Sequence, residues 1–347
     1  MRVAVVGCGY WGSKHIRVLN GLGEVDSVAV VDPRVDRRAE LERSFPKTGS
    51  FDNLATALPH VDAVVIATPP ETHVRLGLQA IEAGRHVLVE KPLATTSAGA
   101  RRLIDAAAAA GVTLMVGHTF EYNAAVWRLR DMVARGELGD IHYIDTARLN
   151  LGLYQSDVNV LWDLAPHDVS IVNHVLGRSP TSVQAWGRAH AHALLEDVAY
   201  LRLDYADIGV TAQIHVSWLD PCKVRRVTVV GSRKMAVYND LADAERIKIY
   251  DKGVNKAISE GAALHEMPVS YRYGGISAPY IDFQEPLTVE DRHFVQCIRE
   301  GRVPDTDGRS GLAVVSVLEA AQRSLRDGCA IQLELPPVES ILSSVPA

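Results

Sequence analysis

Through the first 120 residues, short apolar runs alternate with longer amphipathic stretches. The runs Arg2–Val6, Val28–Val31, Ala63–Ala67, His86–Val89 and Thr113–Val116 are rich in Val and Ile and apolar on both faces, which is how buried parallel strands read. Between them, helical spacing predicts helices at Gly12–Leu22, Arg34–Phe45, Glu71–Ala83 and Ser97–Ala110. Gly84 and Gly111 follow two of these, where a helix stops readily. A strand–helix rhythm of this kind predicts an α/β domain built on a doubly wound parallel sheet.

Beyond residue 120 the period falls to two. Ile141–Leu149, Thr181–Ala189, Asp197–Leu203, Val210–Trp218 and Lys223–Gly231 alternate apolar and polar positions, as antiparallel strands with one covered face do. A helix is expected at Asp163–Leu176, and late helices at Val289–Glu300 and Ser310–Arg326. The stretch Asp251–Tyr280, rich in Gly, Ser, Pro and Tyr, reads as a long irregular excursion. The expected organisation is residues 1–120 as a first domain. Residues 121–347 then form an α+β domain with a mostly antiparallel open sheet, whose late helices can pack back on the first.

Composition narrows the function classes. With 347 residues, 47% of them hydrophobic, the chain can bury large cores without disulfides or metals. A formal net charge of −6 argues against a nucleic-acid or anionic-membrane partner. Cys8, Cys222, Cys297 and Cys329 are widely scattered, which points to free thiols in a reducing compartment. No basic-then-apolar leader opens the chain and no run of membrane-spanning length occurs, so a cytoplasmic protein is expected.

The first strand runs into Gly7-Cys8-Gly9-Tyr10-Trp11-Gly12, a G-x-G-x-x-G turn that opens a predicted helix. Gly7 permits the tight turn, Gly9 lets the backbone approach a pyrophosphate, and Gly12 lets helix and strand pack closely. The helix N-terminus presents N–H groups to the phosphates. Asp32 ends the second strand twenty positions after Gly12, where a carboxylate binds the adenosine ribose and repels a 2′-phosphate. The first domain is therefore expected to be a Rossmann domain that binds NAD in preference to NADP. Arg34, Arg37 and Arg38 could neutralise a 2′-phosphate, but read better as a solvated helix face. Tyr10 and Trp11 flank the turn, with at least one expected against the cofactor or at the domain interface.

Further motifs follow in order: Ala67-Thr68-Pro69-Pro70-Glu71-Thr72-His73, Glu90-Lys91-Pro92 and Trp162-Asp163-Leu164-Ala165-Pro166-His167-Asp168. With the glycine turn they resemble the Gfo/Idh/MocA oxidoreductase family over most of the chain. That resemblance implies a tightly held NAD(P) and hydride transfer at a hydroxyl of a sugar, sugar nucleotide or cyclitol. It also implies a C-terminal open sheet that mediates a homodimer or homotetramer. It places Thr68, Pro69, His73 and Glu90 among the cofactor contacts, and Lys91 against both nicotinamide and substrate. Asp163 and His167 complete the site as in the inositol-dehydrogenase branch. Many relatives carry a basic residue where this chain has Glu121, and proline where it has Ala124. The W-D-L-x-P-H-D form with an upstream Tyr154 is similar to members acting at C3 of nucleotide-linked amino sugars.

Read as chemistry, Lys91 lies at a strand's carboxyl end, where an ammonium can stabilise a developing alkoxide. Asp163 and His167, four apart on a helix, share a face, so Asp163 can orient His167 as a general acid/base. Pro166 places that pair at a helix N-terminus. His118, after a buried strand, is a candidate for the nicotinamide pocket, and Tyr154 and Asn159 are candidate substrate contacts. A cation held by Asp163, His167 and His174 is the alternative for that helix face, and His190-x-His192 reads as a solvated pair. The competing class is a non-catalytic NAD(H)-binding redox sensor or regulatory protein. A hydrolase or lyase that recycles NAD internally is a further option.

Overall fold

The computed structural model describes residues 1–45, 49–152, 154–155, 158–191, 194–256 and 269–334. Two compact units form: residues 1–123 with 284–319, and residues 124–283 with the described chain from 320 on.

In the first unit, β1 (Arg2–Val6), β2 (Ser27–Val31), β3 (Gly49–Phe51), β4 (Ala63–Ile66), β5 (His86–Glu90) and β6 (Leu114–Gly117) form one sheet in the order β3-β2-β1-β4-β5-β6. All neighbours are parallel. The central strands read as unbroken apolar runs because both faces are covered: Val3 to Val5 and Ala63 to Ile66 have no exposed surface. The connecting helices are α1 (Tyr10–Gly21), α2 (Val35–Ser44), the single-turn α3 (Leu54–Ala57), α4 (His73–Glu82) and α5 (Ser97–Ala110). Strand β3 escaped the pattern reading because it is three residues long, on the sheet edge and only half-buried.

The late helix α8 (Pro286–Glu300) belongs to this unit. Phe294 and Val295 are fully buried in one cluster with Val3, Val5, Ile16, Leu19, Val28 and Met115. Each such burial contributes about 1.5–3 kcal/mol. A helix that starts 276 residues after α1 starts thus covers the same sheet face. Helix α9 (Gly308–Asp327) starts in this unit and ends in the other.

The second unit is a nine-stranded sheet covered by α7 (Val160–Leu176). Its strands are β7 (Ile141–Leu151), β8 (Ser182–Arg188), β9 (Val198–Tyr205), β10 (Val210–Ser217), β11 (Leu219–Gly231), β12 (Met235–Asn239), β13 (Ile247–Lys256), β14 (Val269–Ser277) and β15 (Ile331–Gln332). Their order is β14-β13-β12-β11-β7-β10-β9-β8-β15. Only the β7–β10 pair is parallel. The period of two is explicit in β9, where Ala199, Leu201 and Leu203 are buried while Tyr200 and Arg202 are exposed. Helix α6 (Ala124–Ala134) precedes the sheet.

Two expectations need correction. Residues 251–256 and 269–277 are not irregular: they extend β13 and form β14, paired antiparallel. Their Gly and Ser content hid a ladder that needs backbone partners more than apolar side chains; 257–268 lies outside the described residues, as does His192. Helix α7 begins at Val160, with Asn159 capping it, so Pro166 is its seventh residue and not in its first turn. A proline there supplies no N–H to the carbonyl four residues back. No helix is long and apolar enough to cross a membrane among the described residues.

Candidate active site

Every strand from β1 to β6 except β3 delivers a candidate residue at its carboxyl end: Gly7 after β1, Asp32 after β2, Thr68 after β4, Lys91 after β5 and His118 after β6. Open α/β sheets place ligands at this edge, where the strand order reverses between β1 and β4.

The glycine turn is built as its spacing demands. Gly7 has φ +86°, and a Cβ on it would lie 2.7 Å from the Ala67 carbonyl oxygen. A Cβ on Gly12 would come within 1.8 Å of the Gly7 carbonyl oxygen, so α1 can start against the turn only with glycine there. A Cβ on Gly9 would meet nothing within 4 Å. Gly9 caps α1 without a side-chain bond to its first amides, so this N-terminus keeps donors for an anion. This open space, bare helix start and ribose carboxylate fit a dinucleotide.

Asp32 is buried and its carboxylate accepts the Cys8 and Arg34 amides, each at 2.9 Å, with the Arg34 guanidinium at 3.2 Å. Burial pushes the Asp32 carboxyl up, but the Arg34 side chain and these amides outweigh it and hold it below the usual range. The acid is thus ionised at the carboxyl end of β2. Arg34 is drawn to Asp32, and Arg38 donates to the Asp32 carbonyl at 2.6 Å. Arg37 pairs with Glu40 on the exposed helix face. The Cys8 thiol, pushed up to about 12 by burial and by Asp32, is no nucleophile. Tyr10 and Trp11 meet edge to face, and both rings are exposed, at 71% and 38%.

Lys91 follows β5, half-buried, and its bond to Pro92 is cis. Beneath it lies a buried charge cluster that pattern reading missed. Glu90 does not turn to the cofactor edge: its Oε2 accepts the Lys91 amide at 3.0 Å and its Oε1 meets His15 Nε2 at 3.1 Å. His15 Nδ1 meets Asp291 Oδ1 at 2.8 Å. His15, Glu90 and Asp291 all lie at or below 6% exposure. Both imidazole nitrogens face carboxylate oxygens, so the ring donates on both sides as imidazolium. Burial opposes that charge, but Asp291 and Glu90 raise His15 well above its usual range. Glu90 is held low against its own burial by His15 and Lys91. Glu290, which accepts the Thr119 hydroxyl at 2.7 Å, is pushed well up by burial and by Glu90, and stays a neutral acid.

His73, expected among the cofactor contacts, is fully buried between two loops. Its Nδ1 lies 2.8 Å from the Pro92 carbonyl oxygen and its Nε2 2.8 Å from that of Thr68. Burial lowers His73, so the neutral ring carries one N–H and donates to one of these two carbonyls, lying between the loop after β4 and the Lys91-Pro92 turn. Thr68 is hydrogen-bonded to Thr72 at 2.6 Å and packs where a Gly7 side chain would go; Pro69 leads into the short turn of helix at Pro70–Thr72. His118 is 1% exposed and neither ring nitrogen has a partner among the described residues; burial lowers it, so it is neutral. Glu121, also buried, donates its amide to the His118 carbonyl.

In the second unit, Asp163 and His167 stand one turn apart on α7. The Asp163 carboxylate accepts the Trp218 indole N–H at 3.0 Å, and the Tyr154 ring packs on Trp218 at 5.3 Å. The Tyr154 hydroxyl reaches Asp197 at 3.5 Å. Asn159, a candidate substrate contact, caps α7: its Oδ1 accepts the Trp162 amide and its Nδ2 donates to Glu196 and Gln322. Asp168, beside His167, forms a buried 2.6 Å ion pair with Arg148 of β7 that fixes α7 on the sheet. His174 lies 3.3 Å from Arg130 and edge-on to Trp127. His190 bonds the buried Asp197 carboxylate at 2.8 Å and is not simply solvated. Among the described residues no group of three His, Cys, Asp or Glu is disposed to hold a metal ion.

Residues 1–118 match the oxidoreductase family model with an NAD-binding Rossmann fold, and residues 126–237 match the GFO/IDH/MocA C-terminal domain. The chain belongs to the GFO/IDH/MocA oxidoreductase family. It is 32% identical to an inositol 2-dehydrogenase of Acidiphilium cryptum over 62% of this chain and 68% of that protein. It is 30% identical to the UDP-N-acetylglucosamine 3-dehydrogenase of Acidithiobacillus ferrooxidans over 54% of this chain and 58% of that one. The structure of GenD2 from gentamicin A biosynthesis, in complex with NAD, superposes with a TM-score of 0.80 at 29% identity over 96% of each chain. The first unit is therefore an NAD-binding Rossmann domain, and the protein an oxidoreductase of this family.

Proposed function

We propose that this protein is an NAD-dependent dehydrogenase acting on a secondary hydroxyl, or the corresponding ketone, of a sugar, cyclitol or sugar nucleotide. The observation that carries this reading is the placement of Lys91. It stands at the carboxyl end of β5, two strands from the glycine turn on the same sheet edge, roughly 10 Å at ordinary strand spacing. When bound, NAD accepts or returns the hydride. Lys91 would hydrogen-bond the reacting oxygen and favour its alkoxide form. His167 is the proposed general acid/base, with Asp163 as its orienter; Tyr154 is a proposed substrate contact. The same groups serve reduction in the reverse direction. Relatives that act on inositol and on UDP-N-acetylglucosamine support the substrate class. Within that class, C3 of a nucleotide-linked amino sugar is the narrower proposal.

Absorbance at 340 nm, followed against inositols, free sugars and UDP-sugars, tests the assignment. Accumulation of NADH with one of them is expected. Lys91→Ala should lose turnover by at least a hundredfold while still binding NAD. Wild-type turnover in that variant would remove Lys91 from the chemistry. Product without NADH would mark internal recycling, and NAD binding with no turnover on any substrate a sensor.

A homo-oligomer is also proposed. Tyr143, Trp186 and Tyr200 stand exposed on the sheet of the second unit, with Tyr200 stacked on His215 at 4.0 Å. Light scattering that returned the monomer mass of 37.8 kDa would refute it. The four free thiols support a reducing, cytoplasmic location, which fractionation of the native host would test.

A further inference from the structure

Asp163 sits in the first turn of α7, where a carboxylate is drawn to the amides of its own helix. Asn159 already fills that place: its side chain accepts the Trp162 amide and its carbonyl accepts the Asp163 amide. The Asp163 carboxylate instead reaches out of the helix to Trp218, between β10 and β11, and accepts its indole N–H at 3.0 Å. Trp218 is 1% exposed and is itself firmly held. Its amide donates to the Asp197 carbonyl and its own carbonyl accepts the Gly152 amide, each at 2.9 Å. A Cβ on Gly152 would lie 3.0 Å from the indole Cδ1, so a side chain there would crowd the ring. A buried indole needs an acceptor for its one N–H, but a neutral carbonyl would serve at a lower desolvation cost than a carboxylate.

We propose that Trp218 is a positioning residue for Asp163. The indole N–H can only donate, so it fixes one carboxylate oxygen, and the planar carboxylate then has its second oxygen directed as well. A charge-assisted bond from a ring locked by the sheet sets that direction more sharply than a first-turn side chain on α7 could by itself. Orientation of this kind is what Asp163 needs if it is to orient His167 in turn. The same indole offers its ring to Tyr154, the proposed substrate contact, at 5.3 Å between centroids. Trp218 therefore serves the two residues through different atoms: Asp163 through the N–H, Tyr154 through the ring.

The proposal rests on Asp163 as the orienter of His167, and its test separates the two. Trp218→Phe keeps a ring for Tyr154 and removes the donor. A crystal structure of that variant, which needs no substrate, should show the Asp163 carboxylate displaced by about 1 Å or more. With NAD and myo-inositol or UDP-N-acetylglucosamine, its kcat should fall roughly ten- to a hundredfold while KM stays within about twofold. Once Asp163→Ala is in place, Trp218→Phe should lower kcat no further; structural damage would instead accumulate. If Trp218→Phe fails to fold, Gly152→Ala decides, because its methyl pushes the indole and should shift Asp163 without touching it. An Asp163 that keeps its place, or losses that add in the double variant, would overturn the proposal. Wild-type kcat in Trp218→Phe beside a dead Asp163→Ala would sink this inference alone. Full activity in Asp163→Ala would remove Asp163 from the chemistry and this inference with it.

Discussion

The glycines of the phosphate turn should separate stability from cofactor binding. In Gly12→Ala the new methyl carbon would start 1.8 Å from the Gly7 carbonyl oxygen, so α1 and the turn must move apart by more than an ångström to reach any real contact. Overpacking of this kind costs about 1–3 kcal/mol, offset by up to about 1 kcal/mol of helix propensity. A net loss of about 2 kcal/mol lowers Tm by roughly 4–8 °C for a domain of 150–250 residues. In Gly9→Ala the methyl meets nothing within 4 Å, and a φ of −75° suits any residue. Its stability should change by no more than about 1 kcal/mol, the cost of a poorer helix cap. The same methyl fills the space a pyrophosphate needs, so NAD affinity should fall at least tenfold, about 1.4 kcal/mol. Thermal melts of the ligand-free protein and titration calorimetry with NAD read the two effects independently. A Gly12→Ala protein that melts with wild type, or a Gly9→Ala protein that binds NAD as wild type does, would refute the assignment of roles within the turn.

Other outcomes follow from the buried charges. Arg148→Ala strands the Asp168 carboxylate inside the second unit and should destabilise it by about 3–5 kcal/mol; an unchanged thermal melt would show that the pair does not hold α7. The His15 imidazolium has a raised folded-state value, so its contribution is complete below about pH 6.5 and is lost as pH climbs through that raised value. Glu290 acts in the same direction, its contribution fading above about pH 4.3 as the folded protein resists ionising it. Tm should therefore decline from neutral to alkaline pH, and Glu290→Gln should flatten that decline. A variant as pH-sensitive as wild type would exclude Glu290 as a source.

Much of the first unit was legible in the chain because its signals are local. Buried parallel strands announce themselves as Val- and Ile-rich runs, and a glycine turn between strand and helix has few physical alternatives. Asp32 and Lys91 could be read for the same reason: each ends a strand on a sheet whose ligand edge is known in advance. In the second unit the period of two located β7 to β11, and the spacing of Asp163 and His167 put them on one helix face. What failed to show was any role set by a distant partner. The position of His73 between the Thr68 and Pro92 carbonyls, the latter 19 residues away, has no local signal. Asn159 looks like a loop amide until Trp162, Glu196 and Gln322 take up its polar atoms.

The sequence by itself thus determined the sheet type, the cofactor turn and the strand ends that meet the sheet's ligand edge, since propensity, periodicity and turn geometry act within a few residues. Only the tertiary structure decided that α8 closes the first unit and that Glu90 turns inward to His15 and Asp291. Those choices depend on which side chains meet across a sequence separation of 276, and no local pattern encodes the free energy of that encounter.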